Sequence, residues 1–306
     1  MPPQLRSVRP NATPLVVREW GAPDGTPLLF WHALGPTTSG AYLSEVAPVL
    51  AAEFGVRVLA VDAPGFGRSP AVQPGCYEIA WLARLALGAL DELGIGRAVL
   101  AGHSWGGAVA VFAAAAEPAR AAALVLLDSG HADYADWPGA KTEASLAERV
   151  AEAAARTLAA PSWAEFLAEQ RTEPGWREAL AEVHRGGVVE TAVGVASAAS
   201  AAVRGAALHG LARSRPSAAW PALAAAGIPT LLLLATEPPG LAELNRGAAA
   251  EFALAVPQAV VHECPGWRHD LIVDGGDELA RLVGAFIEAA KPPVQWVGDV
   301  DDRRAP

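Results

Sequence analysis

Ala98-Val99-Leu100-Ala101-Gly102-His103-Ser104-Trp105-Gly106-Gly107-Ala108 is the stretch on which the reading of this chain turns. A short apolar run, Ala98 to Gly102, has the length and composition of a buried strand. An alanine-rich helical pattern, Trp105 to Ala116, follows at once. Between them lies Gly-x-Ser-x-Gly, the pattern of a sharp strand-to-helix turn that exposes a serine hydroxyl. The glycines have a steric reason, because side chains at Gly102 and Gly106 would collide with neighbouring backbone. Ser104 then stands at a helix N-terminus, where free N–H groups and the helix dipole favour developing negative charge. Alone, the five residues recur by chance; their strand–turn–helix setting makes them specific. The competing reading is a glycine-rich turn with an ordinary serine.

Outward from this turn, short β-rich runs alternate with helical patterns. Leu15–Trp20, Pro27–His32, Val56–Asp62, Ala98–Gly102, Leu124–Asp128, Thr230–Ala235 and Ala259–Glu263 read as strands. Ile79–Leu93, Trp105–Ala116 and Asp277–Ala290 read as helices. This rhythm belongs to an α/β protein with a mostly parallel, doubly wound central sheet, since parallel strands need crossover helices. It breaks once. From His131 to Trp220 no strand is expected, only an alanine-rich helical pattern interrupted by Pro161, Pro174, Gly186-Gly187 and Gly205. That stretch reads as a helical lid over one end of the sheet, residues 131–220 against a core of 1–130 and 221–290. Extra helices packed at the side are the plainer alternative. The tail, 291–306, is expected to be poorly ordered.

The 306 residues carry 33 Asp and Glu against 23 Lys and Arg, a net charge of −10. Hydrophobic residues make up 52 % and charged residues 18 %, which argues against a disordered chain. The acidic balance counts against a nucleic-acid partner, which needs a basic stripe. No apolar run approaches the ~20 residues of a spanning helix, and Met1–Arg6 lacks the layout of a secretory signal. A soluble cytoplasmic protein with no membrane partner is the expectation, as monomer or homodimer. Cys76 and Cys264 read as two free thiols. No His-Glu-x-x-His or Cys-x-x-Cys spacing supports a metal, and no Gly-x-x-x-x-Gly-Lys loop supports a nucleotide, so neither metal nor cofactor is expected.

A serine hydroxyl needs a base to become a nucleophile, and histidine suits proton traffic near neutrality. His269, in Gly266-Trp267-Arg268-His269-Asp270, lies after the last expected strand and just before the closing helix. A loop there reaches back over the carboxyl ends of the strands. His103 adjoins Ser104 but should point into the core, His184 and His209 fall in the insertion, and His262 sits within a strand.

Four motifs in order resemble the α/β-hydrolase superfamily. They are His32-Ala33-Leu34-Gly35, Asp62-Ala63-Pro64-Gly65-Phe66-Gly67-Arg68-Ser69, Gly102-His103-Ser104-Trp105-Gly106-Gly107 and Gly266-Trp267-Arg268-His269-Asp270. The resemblance implies a helical cap inserted after the sixth strand and a triad ordered nucleophile, acid, histidine. It makes Asp62–Ser69 a structural turn; a dinucleotide loop would need a third glycine where Pro70 stands. It also implies an oxyanion hole formed by the N–H of Trp105 and that of Leu34, with Ala33 as the other donor candidate because it replaces the family's glycine. For the acid, family members most often carry an Asp after the seventh strand. Here Ala235-Thr236-Glu237-Pro238-Pro239 puts proline at that place and Glu237 one residue early. Asp128, at the end of its strand, is the favoured acid, with Glu237 as the alternative and Asp133 or Asp270 behind them. Trp31, His32, His103, Trp137, Trp163 and Trp220 are candidate pocket residues, suited to an apolar substrate. The resulting expectation is a serine hydrolase acting on an ester or lactone of an apolar small molecule. A carbon–carbon bond hydrolase, or an acyltransferase or cyclase, is the alternative on the same triad. A binding protein that kept the fold without turnover is the reading from another class.

Overall fold

The structure is a computed structural model that describes residues 2–73, 75, 77–137, 142–155, 158–173 and 175–290. The expected tail, Cys76 and Pro174 lie outside the described residues.

Eight strands form the central sheet: β1 (Gln4–Val8), β2 (Leu15–Trp20), β3 (Thr26–Trp31), β4 (Val56–Asp62), β5 (Ala98–His103), β6 (Ala121–Leu127), β10 (Thr230–Glu237) and β11 (Ala259–Arg268). Their spatial order is β1-β2-β4-β3-β5-β6-β10-β11. The β1–β2 and β2–β4 pairs are antiparallel, and every other pair is parallel. β5 sits near the middle and every one of its residues is buried, as expected of a strand covered on both faces. Helices α2 (Ile79–Glu92) and α3 (Trp105–Ala116) cover one face, with Leu82, Leu85, Val109 and Leu124 in its core. Helices α1 (Val46–Phe54) and α10 (Leu271–Ala290) cover the other, around Leu50, Val58, Val125 and Val283.

The expected strands and helices are present, with three differences. β1 is an additional strand; Gln4-Leu5-Arg6-Ser7-Val8 alternates in burial only weakly and holds its place by pairing with β2. β11 runs on to Arg268, and α10 begins at Leu271 with a break at Gly276, whose φ is 46°. The inserted stretch between β6 and β10 is not purely helical. Besides α4 (Glu143–Ala155), α5 (Trp163–Gln170), α6 (Leu180–Gly186) and α7 (Ala201–Ala212), it contains a three-stranded antiparallel sheet of β7 (Ala159–Ala160), β8 (Val188–Thr191) and β9 (Gly194–Ser197). The β-branched residues of Val188-Val189-Glu190-Thr191 and Val195 carry that hairpin. α8 (Trp220–Ala225) and α9 (Pro239–Ala255) complete the chain's helices among the described residues.

The insertion is fastened to the core by specific contacts. Arg177 forks onto Glu45 and donates to the carbonyls of Val273 and Ile272. His184 bonds the Thr37 hydroxyl at 3.0 Å. The Asp62–Ser69 turn is a structural knot: the buried Asp62 carboxylate accepts from both arms of Arg18 at 3.1 and 3.2 Å, from the Gly40 N–H at 2.7 Å and from the Arg68 N–H at 2.9 Å.

Candidate active site

Ser104 joins β5 to α3 in a conformation that L-residues rarely take, φ 54° and ψ −117°. The strain, of order 1–3 kcal/mol, persists only because the surroundings enforce it. A Cβ on Gly106 would lie 1.9 Å from the Trp31 carbonyl oxygen, and one on Gly102 2.1 Å from that of Gly106. The turn is therefore closed to larger residues on both sides of the serine. Ser104 donates its N–H to Leu127 at 3.2 Å, which ties the turn to the end of β6.

Asp128 follows β6, also with a positive φ of 45°. Its carboxylate is fully buried, and such a group needs partners. Oδ2 lies 2.6 Å from His269 Nδ1, while Oδ1 accepts from the Ala235 N–H at 3.1 Å and from Asn245 Nδ2 at 3.2 Å. Three elements, β6, β10 and α9, thus converge on one carboxylate. His269 lies in the β11–α10 connection, and its main chain is held as well. His103 Nε2 is 2.7 Å from the His269 carbonyl oxygen. Burial first, then the neighbouring His269, pushes the His103 pKa down to about 3, so its ring is neutral and Nε2–H donates. Tyr42 stacks on His103 with ring centroids 5.7 Å apart, and its hydroxyl donates to Asp270. Burial raises the Asp270 pKa, countered in part by that bond.

Leu34 borders the site on the β3 side. The loop carrying it is pinned by His32, whose Nδ1–H donates to the Ala33 carbonyl at 2.7 Å and whose Nε2 accepts from the Ala63 N–H at 3.1 Å. Burial lowers the His32 pKa to about 4, which keeps that accepting nitrogen free of a proton. Among the described residues, neither the Leu34 nor the Trp105 N–H finds an acceptor.

Ser104, Leu34, Asp128 and His269 line one cavity of about 380 Å³, a volume suited to a small molecule. No hydrogen bond joins the Ser104 hydroxyl to His269 among the described residues; such bonds are often long before a substrate arrives. Trp137 lines this cavity, and Trp220 lines an adjoining one of about 380 Å³ that shares His131, Leu241 and Asn245 with it. The other expected pocket residues line neither cavity. Trp31 is 2 % exposed, in the core against Trp105. His32 and His103 are buried; His32 bonds backbone through both ring nitrogens and His103 through Nε2 alone. Trp163 stacks on Phe166 in the insertion, with Arg185 over its ring at 4.9 Å. Bulky aromatic rings bury themselves wherever apolar area is available, so their type alone did not say which side of the sheet each would take.

The remaining candidates are dispersed. Glu237 forms no hydrogen bond with Asp128, Asn245 or His269 and lines a different cavity, which His269 also borders. Asp133 accepts from Ser217 and Arg215, and Asp270 is engaged by Tyr42. His184 lies between Trp176 and Phe166, while His209 and His262 are exposed. Asn245 and Tyr42 were not foreseen; they act through distant contacts and no local pattern marks them. Among the described residues, no group of three or more His, Cys, Asp or Glu is placed to hold a metal ion, and no helix is long and apolar enough to cross a membrane.

A buried Asp–His pair facing a serine on a strained strand-to-helix turn, over a sheet of this order, is the arrangement of a well-populated class of folds. A sequence model of that class matches residues 28–282, and the chain belongs to the alpha/beta hydrolase family. It is 42 % identical over 112 residues to the dihydrolipoyllysine-residue acetyltransferase component of the acetoin cleaving system of Pseudomonas putida, covering 36 % of this chain and 29 % of that protein. It is 32 % identical over 145 residues to the sn-1-specific diacylglycerol lipase ABHD11 of Danio rerio, covering 45 % of this chain and 44 % of that one. The matched region thus spans less than half of these curated relatives. Among solved structures, the thioesterase domain from the curacin biosynthetic pathway superposes with a TM-score of 0.71 at 21 % identity, over 92 % of this chain and 99 % of that one, a likeness of fold.

Proposed function

We propose that the protein is a serine hydrolase that cleaves an ester or lactone of a largely apolar small molecule through an acyl-enzyme. The observation that supports this most is the 2.6 Å contact between buried Asp128 and His269 Nδ1, in the cavity that also holds Ser104. With Nδ1 engaged, Nε2 is the nitrogen left to take the Ser104 proton as the hydroxyl attacks the carbonyl. Asp128 fixes that tautomer and stabilises the imidazolium, and Asn245 with the Ala235 N–H keeps the carboxylate in place. The Trp105 and Leu34 N–H groups, without acceptors of their own, receive the oxyanion; each such donor is worth ~3–4 kcal/mol. His269 returns its proton to the leaving oxygen. It then activates a water that releases the acid and restores Ser104.

The test is labelling with a fluorophosphonate followed by mass spectrometry, run beside turnover of p-nitrophenyl esters of graded length and several lactones. Label on Ser104 with ester or lactone turnover upholds the reading. Folded protein that takes no label and turns over nothing favours a binding protein on this fold. The similarity to an acetyltransferase component favours a second reading in which an alcohol, amine or thiol takes the acyl group. Partition of a labelled acyl group between water and added acceptors separates the two. Dienoate ketones in the same screen address carbon–carbon cleavage.

A further inference from the structure

The acidic and basic side chains lining the Ser104 cavity are Asp128, His131, Arg149 and His269. Asp128 and His269 are committed to each other. Arg149, on α4, is left facing the cavity with no ion pair among the described residues. Arg149 is solvent-exposed, and Arg9 and Arg84 likewise meet no carboxylate among the described residues, but neither of those lines the Ser104 cavity. The net charge is −10, and many of the other arginines meet carboxylates: Arg18 with Asp62, Arg57 with Glu19, Arg177 with Glu45, Arg215 with Asp136. Glu148 and Glu152 flank Arg149 on its own helix, yet neither comes within ion-pair distance of it.

Its position adds a second observation. A further cavity of about 220 Å³ opens beside the first and is lined by Arg149, Glu152, Arg204 and Pro36. The two cavities share Leu34, Arg149 and Leu208, so Arg149 lies where they meet, on the Leu34 side of the Ser104 cavity. An apolar chamber with a guanidinium at one end suits a molecule that is apolar in its middle and anionic at its tip. Glu152 and Arg204 line the second cavity with opposite charges, which leaves Arg149 as the charge in excess and makes a monoanion the match.

We propose that Arg149 binds a carboxylate carried by the substrate at the end remote from the scissile bond, which makes half-esters of dicarboxylic acids, or lactones bearing a free acid, the preferred class. This rests on the serine-hydrolase reading above and narrows it. Arg149 is a specificity residue: it steers and holds an anion that the molecule's overall charge would repel.

The experiment compares mono-p-nitrophenyl glutarate with p-nitrophenyl pentanoate, for the wild type, Arg149→Ala, Arg149→Lys and Glu152→Gln. In the wild type the half-ester is expected to have the higher kcat/KM. Arg149→Ala lowers the ratio of the two kcat/KM values on the order of tenfold, mainly through KM of the half-ester. Arg149→Lys recovers part of the ratio, and Glu152→Gln raises it. A direct measurement needs no turnover: Ser104→Ala protein is titrated with monomethyl and dimethyl glutarate by tryptophan fluorescence, Trp137 being in the cavity. Tighter binding of the half-ester, lost in Ser104→Ala/Arg149→Ala, supports the proposal. Equal binding of the two esters, or a ratio that Arg149→Ala leaves unchanged while Ser104 labels and neutral esters turn over, overturns it and spares the hydrolase reading. Absence of label and turnover overturns the hydrolase reading instead, and the titration still decides the role of Arg149.

Discussion

Asp128 and Glu237 are both acidic residues at the carboxyl ends of neighbouring strands, β6 and β10, and physical chemistry separates them. Asp128 is fully buried with all its hydrogen bonds directed by β10, α9 and His269, whereas Glu237 is half-buried and makes no bond to His269. Asp128→Asn would present an amide to Nδ1, favour the wrong tautomer, and is expected to lower kcat by about 10³–10⁴-fold. Glu237→Gln should leave kcat within about threefold, since surface changes away from the reacting groups act weakly. Steady-state rates on one activated ester check both; loss of turnover in the Glu237 variant alone would reverse the assignment. At this scale the sequence made the serine turn and the histidine loop legible, because glycines with a steric duty leave a local pattern. Asn245 left none, since its reach to Asp128 spans 117 residues and depends on how α9 settles on β10.

The β5–α3 element makes the strictest demand on the chain. Gly106→Ala would drive a methyl group to 1.9 Å from the Trp31 carbonyl oxygen, and backbone on both sides leaves nothing that can give way. The variant is expected to lose at least about 3 kcal/mol of stability or to fail to accumulate as folded protein. Thermal unfolding monitored by circular dichroism measures this, and an unchanged midpoint would contradict the packing described. Elements with such tight internal rules were readable from composition: α3 spans Trp105–Ala116, the bounds its pattern indicates. The small sheet of β7, β8 and β9 was not. Its strands are two to four residues long and lie among alanines whose helix propensity dominates any short window.

On the scale of the whole molecule, burial lowers the pKa of four imidazoles among the described residues, those of His32, His103, His131 and His184. Burial holds His32 near a pKa of about 4 and His103 near about 3, against 6.5 in the unfolded chain. Below pH 6.5 the unfolded chain therefore binds protons that the folded one refuses. This stability is complete above that pH and is lost as pH falls toward 4. His32 and His103 each contribute about 2–3 kcal/mol of that loss by pH 4.5. Asp270, whose carboxyl is pushed up by burial, offsets a part of it. Urea unfolding between pH 7.5 and 4.5 should show a steady decline in unfolding free energy, shallower in His103→Gln. A flat profile would mean that one or both rings accept a proton in the folded state.

The two partners at the heart of the site, Asp128 and His269, are 141 positions apart in the chain. The whole insertion and β10 must emerge from the ribosome before they can meet, because β10 pairs with β6 and β11 pairs with β10. In the proposed mechanism, a chain that stops before His269 carries Ser104 but lacks the base. If the proposed reading holds, turnover would appear only once nearly the entire fold has closed.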